Sequence, residues 1–134
     1  MSTEHDLLRS YHTIAVVGLS PNPERDSHRV AKYMKEHGYK IIPVNPTATE
    51  ILGERCYPDL ASVPEPVQIV DIFRRAEDVP PVVEQAIKIK ARVVWMQEGI
   101  VSEIAAALSR EAGLSVVMDR CIRKVHEELD DGEV

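Results

Sequence analysis

Short apolar runs recur along the chain, and most are continuous rather than alternating with polar residues. The five clearest runs, in chain order, are 14–17, 40–44, 67–73, 92–96 and 114–118. Continuous runs rich in β-branched residues are typical of strands that helices cover on both faces, as in a parallel sheet. The pattern therefore predicts five buried parallel strands.

Helical periodicity fills the gaps between these runs. The clearest apolar stripe is Val101, Ile104, Ala105, Leu108 and Ala112, and it predicts an amphipathic helix that ends where Gly113 supplies a left-handed residue. Further helices are predicted over 3–11, from about 26 to 37, from about 78 to 90 and over 122–129. Residues 45–66 are rich in proline, which predicts an irregular connection with a short helix at 59–63.

Strands and helices alternate through the chain, and no internal repeat interrupts them. This order predicts a single doubly wound α/β domain over residues 1–134. Right-handed crossovers then give a Rossmann-like sheet of five parallel strands with helices on both faces, for which the strand order 3-2-1-4-5 is expected.

Composition narrows the class of protein. Of the 134 residues, 44% are hydrophobic and 28% charged, as in globular proteins, and no apolar run approaches the roughly 20 residues of a membrane-spanning helix. The two cysteines are far apart in the sequence, and the first residues lack the features of a signal peptide. A cytoplasmic location, away from membranes, is expected.

Charge is concentrated at the end of the chain. The net charge is -6, and an acidic tail over 127–134 carries much of it. The remainder is nearly neutral and offers no broad basic face for nucleic acid. The five histidines and two cysteines show no metal-ligand spacing, so no metal site is expected.

The loop after the first strand carries the clearest candidate chemistry. In such sheets, ligands lie beyond the carboxyl ends of the strands, where the strand order reverses. Gly18 permits a close backbone approach, Ser20 offers a hydroxyl, and Arg25 stands just before a helix N-terminus, where N–H groups and the helix dipole favour an anion. This loop predicts a phosphate site.

The same region disfavours NAD as the ligand. The loop holds one glycine where the dinucleotide fingerprint has three. After the second strand, Asn45 and Pro46 stand where NAD-binding domains place a carboxylate for the ribose hydroxyls. The site can still take a nucleotide with phosphates.

Several motifs together resemble one known family. They occur in order over about residues 13–126, and they lie at 17–21 with Arg25 and Ser27, at 43–46, 70–74, 95–100 and 119–121. The chain resembles the small single-domain coenzyme A (CoA)-binding proteins, which are similar in turn to the N-terminal CoA-binding domain of the succinyl-CoA synthetase α subunit. The sequence Glu98-Gly99-Ile100 is part of that second similarity.

The resemblance implies binding residues at four of the five strand ends. It implies that Gly18 and Ser20 line a diphosphate and that Arg25 pairs with phosphate. It further implies three pairs of neighbours: Asn45 and Pro46 bordering the adenosine, Phe73 and Arg74 completing the nucleotide side, and Gln97 and Gly99 facing the pantetheine arm. The family's Lys-x-Glu-His run after the cysteine is replaced here by residues 122–126.

No catalytic arrangement is evident in the sequence. Neither Ser20 with His28 nor Cys121 with His126 belongs to a nucleophile–base motif. Ser20 is interpreted as a phosphate-binding hydroxyl, and Cys121 as a small buried residue. We therefore expect a protein that binds CoA or acyl-CoA without catalysis. The alternatives are an NAD(P)-binding oxidoreductase-like domain and a redox or scaffold protein that acts through Cys121 or the acidic tail. The sequence indicates no protein partner.

Overall fold

A computed structural model describes residues 3–132. Its strands are β1 (Thr13–Val17), β2 (Lys40–Val44), β3 (Glu50–Ile51), β4 (Glu54–Arg55), β5 (Ile69–Ile72), β6 (Val93–Met96) and β7 (Ser115–Val117). Its α-helices are α1 (Glu4–Ser10), α2 (Asp26–Glu36), α3 (Val79–Lys88), α4 (Glu103–Glu111) and α5 (Ile122–Gly132). Five of the strands form one parallel sheet, whereas β3 and β4 pair separately as a small antiparallel hairpin.

Helices cover both faces of the parallel sheet. Alternate strand residues such as Val16 and Trp95 pack with α1, α2 and α5, while their neighbours such as Ala15 and Met96 pack with α3 and α4. Burial on both faces explains why the apolar runs are continuous, since each large aliphatic side chain contributes about 1.5–3 kcal/mol when it leaves water. The predicted Rossmann-like, doubly wound α/β class is confirmed.

The predicted strand order 3-2-1-4-5 is wrong in one respect. The observed order is β2-β1-β5-β6-β7, so the third predicted strand pairs directly with the first, with Ile14 opposite Ile69. In terms of the five predicted strands, the order is 2-1-3-4-5. The physical reason lies in β2, where Pro43 has no N–H to donate to a second neighbouring strand of the sheet. A strand with proline belongs at an edge, and β2 occupies that edge here.

The connection 45–66 is more ordered than the sequence suggested. Leu52 and Gly53 both have positive φ, 56° and 76°, and form the two-residue turn between β3 and β4. The short helix predicted at 59–63 appears as a 3-10 turn over Leu60–Ser62, where the Asp59 side chain accepts from the Ser62 N–H. Tyr57 then lies along the outer edge of β2, with its N–H donating to the carbonyl of Pro43.

Helix α5 takes up most of the segment interpreted as an acidic tail. Glu127 and Glu128 lie on this helix, and Glu128 accepts hydrogen bonds from His5 and Arg120. Residues 133 and 134 lie outside the described residues. Within residues 3–132, no helix is long and apolar enough to cross a membrane.

Candidate ligand-binding site

The carboxyl ends of β1 and β5 meet at the point where the strand order reverses. From β1 the chain crosses to β2 on one side, and it later returns to add β5 on the other side of β1. The Phe73 N–H donates to the Val17 carbonyl at 2.9 Å, and the Gly18 N–H donates to the Val44 carbonyl at 2.9 Å. The loops beyond these strands therefore diverge around Gly18 and Phe73, which is where doubly wound sheets bind ligands.

The packing of the protein requires a glycine at position 18. Its φ is +89°, and a Cβ at this position would lie 2.3 Å from the carbonyl oxygen of Phe73. Such a distance is far shorter than a van der Waals contact, so a side chain would push β1 and β5 apart. The glycine is thus explained by the contact between two strands before any ligand is considered.

The loop after β1 is held in place by its own polar groups. The Ser20 N–H donates to Ser27 Oγ at 3.0 Å, and the Asn22 N–H donates to Ser20 Oγ at 3.1 Å. The His28 Nδ1 atom lies 2.9 Å from the Ser20 carbonyl oxygen. Ser20 and Ser27 therefore act first as the internal supports of this loop, and Ser27 is buried in that role.

A cleft of about 330 Å³ opens beside this loop. We call it the loop cleft, and it is lined by Gly18, Ser20, Arg25, Asp26, Ser27 and Phe73. Arg25 is the N-cap residue of α2 and makes no side-chain capping bond, so the positive end of the helix faces the cleft uncapped. Within residues 3–132, the Arg25 guanidinium also has no ion-pair partner.

Arg74 brings a second cation to the same place. Its Nε atom lies 3.5 Å from the position that a Gly18 Cβ would take, and the side chain is half-buried. Like Arg25, it forms no ion pair in the part of the chain that the structure describes. Two unpaired guanidinium groups therefore stand near an uncapped helix N-terminus, an arrangement that suits a phosphate-bearing ligand.

The Asn45 side chain is hydrogen-bonded to the backbone of two loops. Its Nδ2 donates to the Leu19 carbonyl at 3.0 Å, and its Oδ1 accepts from the N–H of Thr47 and from the N–H of Ala48. These bonds tie the loop after β2 to the loop after β1. Asn45 and the exposed Pro46 do not line the loop cleft, although they lie beside it across Leu19.

A second cleft, of about 480 Å³, adjoins the first. We call it the helix cleft, and it is lined by Asp26, Arg29, Val30, Phe73, Gln97, Glu98, Ile100, Cys121, Arg123, Lys124 and Glu127. Its more buried lining is mainly apolar. Its exposed rim holds three ion pairs, which are Arg29 with Asp26 at 2.5 Å, Lys124 with Glu98 at 2.8 Å and Arg123 with Glu127 at 3.6 Å. Phe73 and Asp26 line both clefts and so join them.

Gln97 is the buried polar residue of the helix cleft. Only 4% of it is exposed, and its Oε1 accepts from the Ile122 N–H at 3.1 Å. Its Nε2 has no hydrogen-bond partner among residues 3–132. Gly99, predicted beside Gln97, lines neither cleft, and its N–H donates to Asp119 Oδ1 at 2.6 Å.

The sequence interpretation missed the contribution of the segment after β7. Cys121 was interpreted as a small buried residue, but it is half-buried and lines the helix cleft. Lys124 follows one turn later, and the Glu98 carboxylate raises the pKa of its ammonium group. Cys121 stands directly before α5 at a strand end, and this position was the available signal. Among residues 3–132, no cluster of side chains suits a metal ion.

Fold and site together define a doubly wound α/β domain whose candidate site lies at the switch point of the sheet, as in many nucleotide-binding domains. A sequence model described as "CoA binding domain" matches residues 12–127. The chain therefore belongs to the CoA-binding domain family, which confirms the resemblance found in its motifs.

The chain is also similar to other proteins over nearly its full length. The uncharacterized protein YneT of Bacillus subtilis is 45% identical over 121 residues, which are 90% of each chain. A solved structure of a hypothetical protein from Pyrococcus horikoshii OT3 superposes with a TM-score of 0.91 at 44% identity, covering 96% of this chain and 92% of that one.

A larger enzyme shares part of the domain. Acetate–CoA ligase (ADP-forming) I of Archaeoglobus fulgidus is 35% identical over 72 residues, which are 54% of this chain and 10% of the ligase. The similarity is thus limited to about half of this chain and a tenth of that enzyme.

Proposed function

We propose that this protein binds CoA, free or acylated, along the carboxyl edge of its sheet, without catalysing a reaction. The observation that carries the proposal is the pair of adjoining clefts at the switch point. The loop cleft offers the Arg25 guanidinium to a phosphate group, and Arg74 lies beside it. The helix cleft has neutralised charges and an apolar lining for an uncharged arm. CoA combines these two chemistries in one molecule.

The surroundings of Asn45 favour a ribose that bears a phosphate. A carboxylate here would repel a 3′-phosphate, whereas Asn45 carries no charge. Its amide group is already hydrogen-bonded to the backbone of Leu19 and Thr47. Arg74 remains available to pair with such a phosphate. CoA carries a 3′-phosphate on its ribose and NAD does not, so we infer a preference for CoA.

The lining of the clefts supports binding without catalysis. None of the described residues that line either cleft is a histidine. His126 lies five positions after Cys121, but it is buried and its Nδ1 is hydrogen-bonded to the Tyr33 hydroxyl at 2.8 Å. Ser20 Oγ accepts a backbone N–H within its own loop. Neither nucleophile has an oriented base beside it.

Titration calorimetry with CoA, dephospho-CoA and NAD at matched ionic strength tests the proposal. We expect the affinity to be highest for CoA, and the advantage over dephospho-CoA to shrink in Arg74→Ala. Arg92→Ala is the matched control. Arg92 is an exposed arginine just before β6, so it lies at the amino ends of the strands, away from both clefts. Equal affinity for CoA and dephospho-CoA would contradict the role of the 3′-phosphate, and a preference for NAD would favour an oxidoreductase-like domain.

Incubation with short acyl-CoA thioesters tests the absence of catalysis. We expect no release of free CoA above the rate without protein. Turnover that disappears in Cys121→Ala or Ser20→Ala would show that the protein is an enzyme.

A further inference from the structure

We propose that the helix cleft is a thiol–disulfide exchange site, in which Cys121 forms a mixed disulfide with the thiol end of the bound ligand. The inference rests on the proposed function, because it requires CoA to lie with its phosphates in the loop cleft and its arm in the helix cleft. It adds a covalent, reversible state to a site otherwise expected only to bind.

The two cysteines have different surroundings. Both are free, but Cys121 is half-buried and lines the helix cleft, whereas Cys56 is 7% exposed and lines neither cleft. The Cys56 thiol lies 3.6 Å from the Asn45 carbonyl oxygen, and burial raises the pKa of that thiol. A buried thiol held in its protonated form is a poor nucleophile. The cleft therefore presents Cys121, and not Cys56, to a ligand.

Gln97 provides an independent indication that a ligand occupies this cleft. It is almost fully buried and lines the cleft, yet its Nε2 donates to no partner among residues 3–132. The Nε2 atom is therefore available from the cleft to a carbonyl acceptor of a bound ligand. The pantetheine arm carries two amide carbonyls. Because Gln97 Oε1 also holds the N–H of Ile122, the residue after Cys121, the arm would be held close to the thiol.

The charges around Cys121 also suit an uncharged sulfur-bearing arm. The cations on the rim of the cleft are all paired with carboxylates, so the helix cleft has no unpaired cation to attract a phosphate. Lys124 follows Cys121 by one helical turn, and the Glu98 carboxylate, with a smaller contribution from Cys121, raises the pKa of the Lys124 ammonium group. A thiolate is the form of cysteine that attacks a disulfide.

The exchange requires no oxidant other than the disulfide form of the ligand. The Cys121 thiolate attacks one sulfur of the symmetrical disulfide of CoA, the sulfur–sulfur bond of that molecule breaks, and a bond between Cys121 and the bound CoA forms. The second CoA leaves as a thiolate and takes up the proton that Cys121 released. One disulfide is consumed and one is formed, so the electrons balance.

Mass spectrometry of the denatured protein measures the adduct directly. The fully reduced protein is mixed with CoA disulfide or, separately, with glutathione disulfide, and quenched samples are followed over time. We expect an adduct of one CoA on Cys121 that dithiothreitol removes. We expect it to form at least about tenfold faster than the glutathione adduct, since prior binding raises the effective concentration of the disulfide beside the thiol. Cys121→Ser should form no adduct, and Cys56→Ser should still form one.

Binding without exchange is measured in parallel. Calorimetry of the fully reduced wild-type protein with reduced CoA, in excess dithiothreitol, reports the proposed function alone, because no disulfide is present for exchange. If CoA binds but no adduct forms, or the adduct lies on Cys56, or both disulfides react at equal rates, the exchange site is wrong and the binding function stands. If CoA does not bind at all, the proposed function itself fails. Arg25→Ala should reduce the ratio of the rate with CoA disulfide to the rate with glutathione disulfide. An unchanged ratio would show that phosphate binding in the loop cleft does not bring the disulfide to Cys121.

Discussion

The two clefts at the switch point use their charges in opposite ways. In and beside the loop cleft, Arg25 and Arg74 have no ion-pair partner among residues 3–132, and the N-terminus of α2 is uncapped by a side chain. In the helix cleft every cation of the rim has an acidic partner. Exposed ion pairs contribute little to stability, but they do cancel the field that a ligand meets. The difference indicates that an anionic group is recognised at one end of the site and an uncharged one at the other.

The largest effect on stability is expected for a substitution of Gly18, which lines the loop cleft. Gly18→Ala should lower the free energy of unfolding by about 3 kcal/mol or more, because the new Cβ meets the Phe73 carbonyl oxygen and φ is positive. Urea denaturation measures the loss. The loop cleft would then be lost together with the stability of the sheet.

Gly38→Ala separates the steric overlap from the backbone strain. Gly38 also has a positive φ, +93°, but a Cβ there would meet nothing within 4 Å. We expect a loss of only about 1 to 2 kcal/mol, the cost of a left-handed alanine. Equal losses in the two variants would show that the contact between Gly18 and Phe73 relaxes freely.

The second prediction concerns the unpaired cation at the helix N-terminus. Arg25→Ala should weaken CoA binding by about 1.5 to 3 kcal/mol, the usual range for a hydrogen bond to a charged group, with little change in stability. Calorimetry at several salt concentrations should also show a shallower salt dependence than in the wild type. Arg92→Ala is expected to change neither quantity. Unaltered affinity in Arg25→Ala would show that Arg25 is a solvated surface residue that does not contact the ligand.

The strand that ends between the two clefts carries a buried acid. Asp71 is 1% exposed, its Oδ1 has no hydrogen-bond partner among the described residues, and burial raises the pKa of its carboxyl group well above the ordinary value of 3.8. The folded protein therefore holds a proton that the unfolded chain releases. This contribution to stability is complete below about pH 3.8 and is lost as the pH rises through the raised pKa.

Asp71→Asn should remove this pH dependence. The variant is expected to be more stable than the wild type at pH 8 by at least about 1 kcal/mol, and the difference should shrink as the pH falls, since one pKa unit corresponds to about 1.4 kcal/mol. Urea denaturation between pH 5 and 8 measures it. Glu84→Gln, on the exposed face of α3, is the control that should keep the wild-type slope. If Asp71→Asn keeps that slope too, Asp71 is not the titrating group.

The sequence was sufficient for the class of fold but not for the order of its strands. Continuous apolar runs separated by amphipathic stripes predict helices on both faces of a parallel sheet whichever strands are neighbours. The order was taken from the Rossmann class. Pro43 carried information against it, because a proline places its strand at an edge. With β5 beside β1, the loop of Phe73 and Arg74 moves next to Gly18, whereas the predicted order would have put the loop of Gln97 there.

The candidate site was predicted where it depends on strand ends and missed where it depends on packing. Ser20 and Arg25 lie in the loop after β1, and Phe73 and Gln97 directly follow β5 and β6, so their place at the carboxyl edge could be deduced. The Asn45 side chain donates to the Leu19 carbonyl because two loops meet there, and no local sequence pattern reveals that contact. The part that Cys121 plays in the helix cleft likewise depends on where α5 packs.

The smallest effect is expected at the paired cation of the helix cleft, and it separates the two clefts most directly. Lys124 and Glu98 are both more than half exposed and pair with each other at 2.8 Å. Lys124→Gln keeps most of the side-chain length while removing the charge, and we expect CoA affinity to change by less than about twofold, because an exposed, compensated charge contributes little. Calorimetry at the salt concentrations used for Arg25→Ala allows the two variants to be compared, and the salt dependence of Lys124→Gln should match that of the wild type. A loss as large as in Arg25→Ala would mean that the ligand displaces Glu98 as the partner of Lys124. The helix cleft would then receive an anionic group, such as an acyl chain that ends in a carboxylate, and the distinction between the clefts would no longer hold.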